Sequence, residues 1–258
     1  MTFKDFWTNE NNPKLPESEY MYGTRHLIVI MIVIMASVLL SLYFAQKSQK
    51  AKQRLIYVFG GILLFFEVVS RIVNFFITPN LTFGRVIKIL LPMEICSVVV
   101  WSFILAIFIR KRTLYEFCTI AGLFATLAFL LFPAVGLNRT YMSFTCIYSV
   151  VSHMTGFVCA VLLMTLGFVK FEFKRIWRVY LCFAIMFAWG VLLDLVIFPG
   201  SNYMFILEDP LEMGLKFPHQ LFYGAFIAVY VLLFYVIDYI KNKIKQKGEQ
   251  KKVSAKNT

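Results

Sequence analysis

The chain has 258 residues, 60% of them hydrophobic and 17% aromatic, with a net charge of +12 and a mean hydropathy of +0.73. That apolar share exceeds what the core of a soluble domain of this size requires, and it excludes a water-soluble fold. The basic excess sits in short connecting segments and a lysine-rich C-terminus without interleaved aromatics, a pattern of membrane topology and anionic headgroups rather than of nucleic-acid binding.

Residues 1–26 form a polar segment of mixed charge with no apolar core ahead of a small-residue cleavage site, so no removable signal is expected. Seven apolar runs follow: Leu27–Ala45, Leu55–Ile77, Val86–Ile109, Leu114–Phe132, Ser143–Val169, Ile176–Phe198 and Pro218–Ile240. Each is near the roughly 20 residues that cross a bilayer as a helix, and backbone in hydrocarbon must satisfy its own hydrogen bonds. The predicted fold is all-α: a polytopic bundle of seven transmembrane helices over 27–240, read as one domain, with a Lys-rich tail over 241–258. Eighteen Lys and Arg fall in the loops and tail of one side and seven on the other. The positive-inside rule therefore puts the N-terminus outside and the C-terminus in the cytoplasm.

The polar residues inside the runs are ordered by depth. Counted from the outer ends of their helices, Cys96, His153 and Glu67 each lie about ten residues down, roughly 15 Å, near mid-bilayer. Closer to the outside come Glu94, Arg71, Asn74 and Asp194, and at the rim His26 and His219. The expected picture is a polar funnel opening outward, with an inner half nearly free of charge until Asp238. Ionisable residues at membrane depth are expensive enough that the default reading is a functional site.

Glu67 and Arg71 are spaced i, i+4 and Asn74 continues their face. They read either as a structural ion pair or as a site where Arg71 holds a phosphate or carboxylate of a lipid headgroup. A thiol in a low-dielectric site keeps its proton unless a base takes it, and a histidine at the same depth on another helix supplies that base. Cys96 and His153 are thus a candidate dyad, with Ser97 an alternative nucleophile. Glu94 is two residues from Cys96, about 200° around an ideal helix, so both cannot face one pocket unless Pro92 distorts the turn. The remaining cysteines, Cys118, Cys146, Cys159 and Cys182, read as small buried hydrophobes. No cysteine pair has metal-ligand spacing, and neither a metal nor a cofactor is called for.

The run Leu91-Pro92-Met93-Glu94-Ile95-Cys96-Ser97, the stretch Tyr148-Ser149-Val150-Val151-Ser152-His153, and the loop Gly200-Ser201-Asn202-Tyr203-Met204-Phe205 followed by Pro210 together resemble the bacterial YwaF-like integral membrane proteins. Those are similar to the animal transmembrane protein 164 acyltransferases. The resemblance covers nearly the whole chain, including His26 at the start of the first run. It implies an enzyme that moves a fatty acyl chain between phospholipids or glycolipids, with Cys96 and His153 as the catalytic pair. The sequence departs from the family at Glu94, where His or Gln is expected more often.

On that reading the partners are membrane lipids: an acyl donor, and a lysolipid or other hydroxyl acceptor. The loop from Pro199 to Phe217 would cover the mouth, and Asn202 and Tyr203 would be headgroup contacts or oxyanion donors, or would only shape a turn after Pro199-Gly200. The composition, with its Phe, Ile and Lys, is that of a bacterial cell-membrane protein, so the acceptor patterns Asn80-Leu81-Thr82 and Asn138-Arg139-Thr140 are read as chance. Two other classes stay open. A proton-coupled or small-molecule transporter would use Glu67, Arg71, Glu94 and His153 as a path, and a lipid-binding scaffold would need no chemistry. The oligomeric state is left open.

Overall fold

The computed structural model describes residues 3–8, 12–131, 136–204, 207–208 and 218–254. The helices in chain order are α1 (Phe3–Thr8), α2 (Glu17–Tyr20), α3 (Thr24–Ala45), α4 (Gln49–Ile77), α5 (Phe83–Leu90), α6 (Ile95–Ile109), α7 (Arg112–Leu131), α8 (Phe144–Thr165), α9 (Ile176–Val191) and α10 (His219–Ser254). Among the described residues there is no strand, only an isolated bridge between Lys14 and Arg139. Among the described residues six helical segments are long and apolar enough to cross a membrane, seven if the bent pair α5 and α6 is counted as one broken span. The chain is a multi-pass α-helical membrane protein. It divides into two compact units, residues 1–168 and 169–258.

In the first unit α8 is the hub, packed by α3, α4, α6 and α7. Side-chain caps start several helices: Ser48 accepts from the Ala51 amide (3.3 Å), Thr82 from Arg85 (3.4 Å) and Ser143 from Cys146 (3.4 Å). Lipid is as apolar as a leucine side chain, so the helices associate through close packing at small residues. Gly122 on α7 is one such place, where an added Cβ would lie 2.6 Å from the Phe103 ring of α6. Gly60 of α4 takes the Ile107 side chain of α6 in the same way. Phe103, Ile120, Leu162 and Leu163 fill the interior completely.

The polar N-terminal segment is pinned to the α7–α8 connection. Asn12 exchanges side-chain hydrogen bonds with the Tyr141 backbone (2.8 and 2.9 Å), Leu15 N–H donates to the Asn138 carbonyl (2.9 Å), and Arg25 donates to the Arg139 and Thr140 carbonyls (3.1 and 3.0 Å).

The third span departs from the continuous helix expected over Val86–Ile109. Leu91 precedes a proline, which disfavours helical backbone, and Pro92 has no N–H to donate. The chain is extended at Leu91 (ψ 149) and again at Glu94 (ψ 155), and α5 meets α6 at 57°.

In the second unit, the sixth span ends as a π-helix over Leu192–Ile197, closed by the Phe198 N–H on the Leu193 carbonyl at 2.8 Å. The seventh span does not stop at the lysine-rich tail: α10 runs on as helix to Ser254.

Candidate functional site

The break at Pro92 decides where Cys96 stands. Because α6 begins at Ile95, Cys96 is its second residue, half-buried, and Glu94 is the N-cap residue. The first intrahelical bond runs from the Val98 N–H to the Glu94 carbonyl at 3.0 Å. The amides of Ile95, Cys96 and Ser97 therefore precede the helical ladder, at the end of a helix where negative charge is best tolerated. Glu94 is exposed and its side chain makes no cap hydrogen bond. Residues 94 and 96 are not on one regular helix, so the 200° offset does not apply to them.

His153 sits within α8. Its Nδ1 lies 2.7 Å from the Ser149 carbonyl, and a carbonyl oxygen only accepts, so Nδ1 carries the proton and Nε2 holds the lone pair. The ring stacks on Phe129 of α7, with centroids 4.1 Å apart and planes 14° from parallel. These two contacts hold the imidazole in one orientation. α6 and α8 pack directly, and among the described residues no hydrogen bond joins Cys96 to His153.

Glu67, Arg71 and Tyr148 form the strongest polar cluster of this unit. Arg71 donates through Nη1 to the Glu67 carboxylate and to the Glu67 carbonyl (3.2 Å). The Tyr148 hydroxyl of α8 donates to the other carboxylate oxygen at 2.6 Å, and Glu67 is fully buried. Arg71 also reaches the last carbonyl of α5, donating from Nε to Leu90 O at 3.3 Å. Its guanidinium carbon stands 5.0 Å from the Trp101 ring centroid of α6, within cation–π range. The ion pair expected from the i, i+4 spacing is present, and it ties four helices.

Asn74 is exposed and donates to Ser70 Oγ at 3.4 Å, away from this cluster. His26, in the first turn of α3, is buried. It is 1% exposed, its Nδ1 accepts from the Tyr22 N–H (3.0 Å) and its Nε2 donates to the Leu130 carbonyl (2.6 Å). Both nitrogens are committed to tying α3 to α7.

In the second unit Asp194 is fully buried and accepts from the Tyr203 and Met204 amides at 2.9 and 3.1 Å, so it staples the loop after Pro199. Asn202 accepts from the Leu207 and Glu208 amides (3.0 and 3.3 Å) and donates to the Glu208 carbonyl (3.3 Å); its amide shapes the turn. The Tyr203 ring packs edge-on to Phe198, and His219 opens α10 with its ring against Tyr223. Phe205, Pro210 and Phe217, and with them most of the expected cover over Pro199–Phe217, lie outside the described residues.

Sequence reasoning passed over Tyr148, Trp101, Phe129 and Glu116. A tyrosine inside an apolar span must find a partner for its hydroxyl, and that signal was present at Tyr148. Glu116, fully buried and 2.9 Å from Arg112 Nε, sits on the side expected to be nearly free of charge. Among the described residues no three His, Cys, Asp or Glu converge as metal ligands.

The helices define a polytopic membrane protein, and a polar cluster is buried among them. The chain belongs to the TMEM164 family, whose profile matches residues 21–238. Neither a curated protein sequence nor a solved structure matches it.

Proposed function

We propose that the chain is a lipid acyltransferase of the bacterial cell membrane, with its N-terminus outside, in which Cys96 is the nucleophile and His153 the base. The observation that carries this reading is the His153 ring: Ser149 takes the Nδ1 proton, Phe129 fixes the plane, and Nε2 is left as a proton acceptor on a helix packed against the one that begins at Cys96. Membership of the TMEM164 family supports it.

Nε2 takes the Cys96 proton as sulfur attacks the ester carbonyl of a donor lipid. The amides at the start of α6 are placed to receive the carbonyl oxygen as it gains charge. The C–O bond breaks, the departing lysolipid oxygen recovers the proton from the imidazolium, and the acyl chain remains on Cys96 as a thioester. An acceptor hydroxyl then gives its proton to Nε2 and attacks the thioester carbonyl, and the C–S bond breaks to return the thiol. Glu94, exposed at the cap, is the carboxylate available to an acceptor lipid.

Intact-mass analysis of protein from membranes, wild type beside Cys96→Ala and His153→Ala, tests this. The expected result is an acyl mass on wild type that hydroxylamine removes and that both variants lack. If no adduct forms on wild type and both variants leave the membrane lipid profile unchanged, the reading fails, and the cluster is a binding or transport site.

A further inference from the structure

We infer that Tyr148 is a positioning residue for acyl transfer: through Glu67 and Arg71 it fixes the start of α6, and with it the Cys96 thiol, relative to α8. This rests on the acyltransferase reading. Glu67 is completely buried and bound by a guanidinium, so it is an ionised carboxylate that only accepts. The Tyr148 hydroxyl, 2.6 Å away, must spend its single proton on Glu67.

The hydrogen bond thus runs from Tyr148 to Glu67, ending on the charge that Arg71 neutralises.

The same network has two anchors on the broken third span: Arg71 binds the last carbonyl of α5 and covers Trp101 of α6. Pro92 has no N–H to donate and the chain is extended at Leu91 and Glu94, so these side chains fix the angle at which α6 begins. Tyr148 and His153 belong to one helix, and the network thereby references the thiol to the base. A misplacement of about 1 Å at a reacting group costs on the order of a hundredfold in rate.

The experiment uses full-length protein in vesicles where ester phosphatidylethanolamine and phosphatidylglycerol are diluted into non-donating diether lipid, and follows the hydroxylamine-labile acyl mass over time. Tyr148→Phe is expected to slow acylation at saturating donor by about tenfold or more, with the half-saturating donor fraction unchanged. Glu67→Gln is expected to do the same, and the double variant to be no slower than the slower single one. Ser97→Ala keeps a hydroxylamine-labile adduct on Cys96. A melting midpoint in the same vesicles separates this from loss of fold: a purely structural role lowers rate only in step with stability. If wild type takes no acyl group, the acyltransferase reading falls and the positioning role with it. If wild type is acylated but Tyr148→Phe matches it, or if the two substitutions add, positioning alone is overturned.

Discussion

Two buried glutamates in the first unit are built almost alike and do different work. Glu67 and Glu116 are both fully buried, and each pairs with an arginine one turn away on its own helix, Arg71 with its side chain 16% exposed and Arg112 29% exposed. Their settings differ. Arg112 is the first residue of α7, so its aliphatic stem lets the charge reach headgroups and water. Arg71 lies within α4, and the partners of the Glu67–Arg71 pair come from three other helices. The order is also reversed: acid before base, as in Glu67–Arg71, is the more favourable arrangement along a helix, and base before acid, as in Arg112–Glu116, the less. An identical i, i+4 pair thus opens a span in one case and, in the other, is tied to three further helices.

The largest effect that would break or sharpen this contrast is expected from Glu67→Ala. It leaves Arg71 buried without its counter-charge, and the cost is about 3–5 kcal/mol, read as a lowered unfolding midpoint in detergent. Replacing both partners, Glu67→Leu with Arg71→Leu, removes the charge problem as well as the pair. Stability then returns to within about 1 kcal/mol of wild type, while the thioester adduct still forms about tenfold or more slowly; a double variant acylated at the wild-type rate would mean the cluster serves stability alone. Glu116→Gln is expected to cost about 1 kcal/mol, because Arg112 is already partly solvated. A loss as large as that at Glu67 would erase the distinction between the sites. Asn74→Ala, on an exposed face of the same helix as Glu67, is expected within about 0.5 kcal/mol of wild type and without effect on adduct formation in the mass assay.

The Glu67–Arg71 pair was legible before any coordinates because i, i+4 spacing is a property of one helix. Tyr148 was not, although it stands five residues before His153, because its partner is 81 residues away. His26 shows the converse. Its place at the start of a span was legible, but not that the backbones of Tyr22 and Leu130 close around it. Asn202 had two readings, and its bonds to Leu207 and Glu208 assign its amide to the turn.

What the amino-acid order determined by itself was the number of spans and the helical class, since a bilayer imposes a length and an obligation to satisfy backbone hydrogen bonds within each segment. It also contained the means to interrupt the third span, since Pro92 lacks an N–H and restricts Leu91. The tertiary structure alone decided how far that interruption goes, that Cys96 opens a helix instead of lying in the middle of one, and which polar groups across α4, α6 and α8 meet. Apolar periodicity reports that a segment is buried in lipid or protein; it carries no record of which neighbour it faces, and direction and partner of a buried hydrogen bond depend on that neighbour.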